Sequence, residues 1–172
     1  MLLLIFALST KKQANMPQIA KGGKFVFGWS LVSDKFTLRF PKQAIDEYCI
    51  CSEGKIIIIQ GSKRSGGFSV SKKELLEQSV FNGLLLENAE FAAYKTEEGK
   101  LATYKGRQYT WLSITDTGIV RLSDDLCSNF SIKRGSNLLS IRSSNIAFTM
   151  ALKGPLIESA LDYDGEVLEY FA

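Results

Sequence analysis

The chain repeats itself, and no other feature of the sequence narrows the possible folds as far. Laid at a constant offset, FGWSLVSDKFTLRFP (Phe27 to Pro41) matches YTWLSITDTGIVRLS (Tyr109 to Ser123), with Trp29 on Trp111, Asp34 on Asp116, Arg39 on Arg121 and Phe40 on Leu122. Ile50 keeps that register with Ile132. One extra residue around Cys51-Ser52-Glu53 then shifts it, so that Gly54 meets Gly135, Ile56 to Ile59 face Asn137 to Ser140, and Ser62 meets Ser143. After a second slip Phe68 falls on Phe148, and KELLEQS resumes against GPLIESA with Leu75 on Leu156 and Glu77 on Glu158. The only two tryptophans of the chain thus occupy equivalent places. The sequence reads as two copies of one unit, 24–79 and 106–161, joined by a connector over 80–105 and followed by a C-terminal segment, 162–172.

Each copy is expected to form four strands and a closing helix. The strands fall at Phe25 to Leu31, Phe36 to Phe40, Lys55 to Gln60 and Gly67 to Val70, and again at Gln108 to Ile114, Ile119 to Leu122, Asn137 to Arg142 and Ile146 to Ala151. A helical turn separates the second and third strand of each set. Ser71 with Glu74 has the spacing of a capping box for the helix after the first set, and Pro155 suits the first turn of the helix after the second. A run as apolar as Ile56 to Ile59 must be buried on both faces or paired with another element. In the connector, LLLENAEFAAYKTEEGK reads as a short amphipathic helix and an acidic turn that pack, because Leu84 to Leu86, Phe91 and Tyr94 are too apolar for water. The expected class is mainly β with short helices, an α+β chain.

Composition excludes several kinds of chemistry. Of the 172 residues 45% are hydrophobic and 23% charged, the profile of a globular chain with a real core. There is no histidine, which removes imidazole acid–base catalysis, His-activated nucleophiles and imidazole metal sites. Three cysteines, Cys49, Cys51 and Cys127, make an odd, sparse set that fits a reduced compartment better than a disulfide framework. The opening MLLLIFALSTKK holds an apolar stretch, Leu2 to Leu8, too short to span a bilayer and lacking the basic residue that precedes a signal-peptide core. Residues 1–23 therefore read as a leader, with Met16 as an alternative start and export as the rival reading, and the expected location is cytoplasmic, without a membrane. A net charge of +3 permits a polyanionic partner without demanding one.

The stretches LRFPKQAIDEYCI with EGKIIIIQGS, and VRLSDDLCSNFSI with KRGSNLLSIRSS, carry a pattern of strand, Pro or Ser, helix opening, Gly turn and apolar strand. That pattern resembles the AbrB/SpoVT swapped-hairpin family. The resemblance implies a small β-barrel made by interleaving two hairpins, and two copies in one chain resemble the MraZ-like arrangement, in which the interleaving is internal. An isolated hairpin of this length is marginal in water and exposes its edges, so strand exchange between copies has a physical motive. The resemblance also implies transcriptional regulation by binding double-stranded DNA. The helix positions that are usually basic in DNA-binding members hold Ile45 and Asp46 in one copy and Cys127 and Ser128 in the other, with Glu47, Asp124 and Asp125 nearby.

The candidate DNA contacts are Arg39, Lys42, Lys63, Arg64, Arg121, Lys133 and Arg134, with Arg142 close by. An arginine repeated in both copies can present paired guanidinium groups to a duplex; the competing reading is of outward strand residues in surface ion pairs. GSKRSGGF, Gly61 to Phe68, is either a hairpin turn or an anion cradle, and it lacks the strand and helix context of a nucleotide loop. Cys49 to Cys51 with Cys127 read as buried thiols rather than metal ligands. Trp29 and Trp111 suit core packing more than base stacking. No nucleophile–base pair or cofactor fingerprint is present, so the chain is not expected to be an enzyme and no cofactor is expected. The alternative to a DNA-binding regulator is an assembly module that binds itself or a protein partner.

Overall fold

The computed structural model describes residues 25–172. The expected leader 1–23, with Met16, lies outside the described residues. Strands β1 (Val26–Leu31), β3 (Lys55–Gln60), β4 (Phe68–Ser71), β5 (Ala102–Tyr104), β6 (Arg107–Ser113), β8 (Asn137–Arg142), β9 (Phe148–Ala151) and β10 (Glu169–Phe171) form one sheet in the order β10-β1-β8-β9-β4-β3-β6-β5. Strands β2 (Thr37–Arg39) and β7 (Ile119–Arg121) form a separate antiparallel ribbon. The chain is a mixed α+β protein, mostly strands with short helices.

The expected closed barrel does not form. β1 takes β10 as a parallel outer neighbour and β6 takes β5 as an antiparallel one, so neither offers a free edge on which the sheet could close. The edges that remain belong to three-residue strands, short enough to discourage pairing with another chain.

The sheet is covered on both faces. Against its inner face pack the β2–β7 ribbon and two helices, α1 (Lys42–Tyr48) and α5 (Asp124–Phe130), around a core that includes Phe27, Leu38, Phe40, Ile56, Ile58 and Phe148. Phe148 is wholly buried there and meets the edge of Phe40 at 5.5 Å between ring centroids. On the outer face, Ile57 joins Leu84, Leu85, Phe91, Tyr109 and Trp111 beneath three short helices, α2 (Lys73–Glu77), α3 (Asn82–Leu86) and α4 (Ala89–Ala92). Farther along that face Trp29, Leu139 and Ile141 lie beneath α6 (Pro155–Leu161). The isoleucine run is thus explained: even positions feed the inner core and Ile57 feeds the outer one, because neighbours in a strand point to opposite faces.

Local sequence accounts for the starts of two described helices. The Ser123 hydroxyl accepts from Leu126 N at 3.1 Å and opens α5, with Asp124 and Asp125 placed where the helix dipole favours them. Pro155 opens α6 as expected. The Ser71–Glu74 capping box does not form: α2 starts one residue later, and the Ser71 hydroxyl donates to the Ile146 carbonyl at 2.7 Å, fixing β4 to the β8–β9 turn. The connector forms α3 and α4 and then β5, where the sequence suggested one helix and a turn.

Candidate functional site

The β2–β7 ladder places Leu38 opposite Val120, and both are buried in the inner core. Alternation therefore turns Thr37, Arg39, Ile119 and Arg121 to the outer side of the ribbon. Arg39 stands opposite Ile119 and Arg121 opposite Thr37, so the two arginines occupy diagonal positions of one outer face on which Arg121 is exposed and Arg39 half-buried. The Arg39 Nε is buried with no acceptor among the described residues.

Two further candidates extend this line. At the Thr37 end, the Phe36 carbonyl accepts from Leu122 N at 2.8 Å, and the Arg134 guanidinium lies 5.2 Å over the Phe36 ring. At the Arg39 end, Pro41 leads into α1 and its first residue, Lys42. Lys133 is exposed one residue before Arg134. Acidic groups interrupt the line: Asp46 pairs with Lys42 one helical turn on, and Glu98 and Asp124 share a shallow hollow with Arg121. Arg142 is held by Glu47 at 2.8 Å and packs on Phe25 and Phe27.

Lys63 and Arg64 are not part of this surface. They sit in the turn between β3 and β4, where Gly61 N bonds Gly67 O, Gly66 N bonds Ser62 O, and Ser65 N bonds the Ser62 hydroxyl. Those N–H groups are consumed inside the hairpin, as a turn requires and an anion cradle does not allow. The turn is pressed onto the start of the last helical segment: Leu152 N and Lys153 N both donate to Ser65 O, at 3.0 and 3.1 Å.

That docking builds a groove on the outer face of the sheet, opposite the ribbon. Two adjoining hollows of about 550 and 480 Å³ share Ser69, Arg107 and Ser143 among their lining residues. The first is hydroxyl-rich and carries Arg64, Arg107 and Lys153; the second is apolar, with Phe81, Tyr104, Tyr109 and Ile146. Among the described residues that line either hollow, none is acidic. Sequence reasoning did not single out Arg107 or Lys153.

Of the three thiols expected to be buried, Cys49 is exposed at the left-handed end of α1, and only the other two are shielded. Cys127 is buried and Cys51 half-buried, and burial pushes both thiols up, reinforced by Asp124 for the first and by Asp116 for the second. Among the described residues no three Cys, Asp or Glu side chains come together as a metal site. Trp29 and Trp111 are each 8% exposed and packed in the outer clusters, which removes them from base stacking. No described helix is long and apolar enough to cross a membrane. Comparison with models of protein families and with curated proteins finds no match to this chain.

Proposed function

We propose that the chain is a tandem AbrB/SpoVT-like protein of the cytoplasm that regulates transcription by binding duplex DNA through the outer face of the β2–β7 ribbon. The reading of two copies is supported by the strand order, which runs β1-β8-β9-β4-β3-β6 and places corresponding strands at equal distances from its centre. It is supported too by Trp29 facing Leu139 while Trp111 faces Ile57. On that reading Ile57 corresponds to Leu139, one residue beyond the partner that the sequence register suggested.

The observation that carries the DNA reading is the line of Arg134, Arg121, Arg39 and Lys42 on and beside the outer side of the ribbon, with Arg121 exposed and Arg39 half-buried. Guanidinium groups in such a line suit phosphate contacts spaced along a backbone. The test is a salt titration of binding to a mixed duplex library. The log affinity should fall linearly with log salt, and Arg39→Ala and Arg121→Ala should each lower the affinity and reduce the slope by about one. Absence of binding to any duplex at low ionic strength refutes the reading.

A second reading, a protein-interaction or self-assembly module, is favoured by Asp46, Glu47, Asp124 and Asp125 on the exposed sides of α1 and α5, where a duplex would meet negative charge. Light scattering separates the two: a strictly monomeric chain with no co-purifying partner speaks against assembly.

A further inference from the structure

We infer that the outer-face groove is a binding site for a small phosphate-bearing molecule with a flat apolar body, separate from the ribbon proposed for DNA. Its two halves differ in chemistry in the way such a ligand differs from end to end. In one half Arg64, Arg107 and Lys153 converge on a floor of side-chain hydroxyls. Ser69 and Thr149 are paired across β4 and β9, their hydroxyls 3.5 Å apart, and Thr149 shares a second hydrogen bond with the Ser143 hydroxyl. Hydroxyls and cations together are what phosphate oxygens need, since the cations supply charge and the hydroxyls supply short, rotatable donors.

The other half is walled by Phe81, Tyr104, Tyr109, Ile146 and Leu84, with Lys105 over the Tyr104 ring, and no acidic residue lines it. Each hollow has the volume of an ordinary small-molecule site, and a largely apolar lining with a few convergent polar groups is the usual make-up of one. Charge complementarity decides the occupant. A neutral apolar ligand would leave four cations idle beside it, and a divalent cation would be repelled by them. A free phosphate would leave the aromatic half unused.

The position of the cations is structural rather than accidental. Lys153 is held against the β3–β4 turn by its own backbone bond to Ser65 O, and a methyl group on Gly66 would come within 3.5 Å of the Lys153 Cε. Gly154 packs so tightly on the same turn that an added Cβ would stand 2.8 Å from Arg64 O. The turn and the β9–α6 connection thus bring Arg64 and Lys153 to one mouth of the groove.

The experiment is isothermal titration of the full chain, at low ionic strength, with adenosine 5′-monophosphate, phenyl phosphate, adenosine and inorganic phosphate as separate probes. At least one of the two organic phosphates should bind saturably with a stoichiometry of one, more tightly than inorganic phosphate and more tightly than adenosine. The better of the two then distinguishes a nucleotide from a simpler aromatic phosphate. Arg107→Gln and Lys153→Gln, both at exposed positions, should each weaken that binding about tenfold or more, the scale of a lost charge-assisted hydrogen bond. Arg39→Ala with Arg121→Ala should leave it unchanged. Thermal melts of the variants matching the parent show that the fold is intact. Failure of both organic phosphates to bind, equal binding of inorganic phosphate, indifference to Arg107→Gln and Lys153→Gln, or displacement of the bound probe by stoichiometric duplex DNA would each overturn the inference.

Discussion

Replacing Ile57 by alanine tests the two-sided burial of the sheet more directly than any other change. Ile57 is 1% exposed and lies on the outer face, among Leu76, Leu84, Phe91 and Trp111. The substitution removes three carbons, about 2.4 kcal/mol of transfer free energy at about 0.8 kcal/mol per methylene. The surrounding side chains belong to three different helices and a strand, and they collapse only in part, so the cavity raises the total to about 3–4 kcal/mol. For a chain of this length about 2–4 °C is lost per kcal/mol, which puts the melting temperature about 10 °C below the parent. Urea unfolding at unchanged m-value checks the free energy, with Ile58→Ala as the inner-face reference. In a sheet with one wet face, alternation would make Ile58 costly and Ile57 nearly neutral, within about 0.5 kcal/mol. A loss below about 1 kcal/mol for Ile57→Ala, beside a large loss for Ile58→Ala, would refute the argument that α2 to α4 seal the outer face.

Three other outcomes follow from local geometry. Gly28 has φ +149°, and a Cβ there would stand 2.6 Å from Leu168 O and 2.8 Å from the Tyr170 ring, so Gly28→Ala should dislodge β10; faster proteolysis after Leu168 with the rest of the fold retained is the expected result, and an unchanged digestion pattern counts against it. Burial first and Glu47 second push the Tyr48 phenol up to about 12, with Arg142 opposing. A phenol raised on folding contributes stability that is complete below its ordinary value of 10.0 and lost as pH rises through about 12. Tyr48→Phe should therefore make the alkaline loss of stability shallower in that window, while costing about 1 kcal/mol at neutral pH for the lost bond to Ser144 O; an unchanged alkaline slope speaks against the assignment. Of the three cysteines Cys49 alone is exposed, so a thiol reagent should modify one cysteine quickly in the native chain and all three in urea; fast modification of Cys127 would contradict its burial.

The strands were legible because each carries its own period. β3 and β8 begin and end where the apolar runs do, and β1, β2, β6 and β7 fall within a residue or so of the ends read from Trp29, Leu38, Trp111 and Val120. What the sequence did not disclose were β5 and β10. ATY and EYF have no alternation that could mark three-residue strands, and they exist because β6 and β1 leave an edge beside them. Those two additions decide the architecture, since they turn the expected barrel into an open sheet. The capping box failed for a similar reason. Ser71 had a tertiary acceptor in Ile146 O, 75 residues away in sequence, and that bond overrode the local one.

The candidate surface was only half legible, because cations were weighed one by one and carboxylates were placed only on the two helix openings. Lys42 belongs to the sequence pattern of a binding helix, yet Asp46 four residues on lies on the same side of α1 and takes it as a partner. The sequence does hold a better signal. No acidic residue falls between Glu53 and Glu74, between Glu98 and Asp116, or between Asp125 and Glu158. The first of these runs carries Arg64, the second Arg107, and the third Lys153. β3, β4, β6, β8 and β9 come from the same three runs, and pairing them side by side places three acid-free stretches against one another. A positive groove is the electrostatic consequence of that pairing, and the acids fall on the surrounding elements: Glu74 and Glu77 on α2, Glu90 on α4 and Glu158 on α6, as well as α1, α5 and the Glu97-Glu98 turn near the ribbon. The groove's positive lining is thus a product of topology, which one residue at a time cannot reveal.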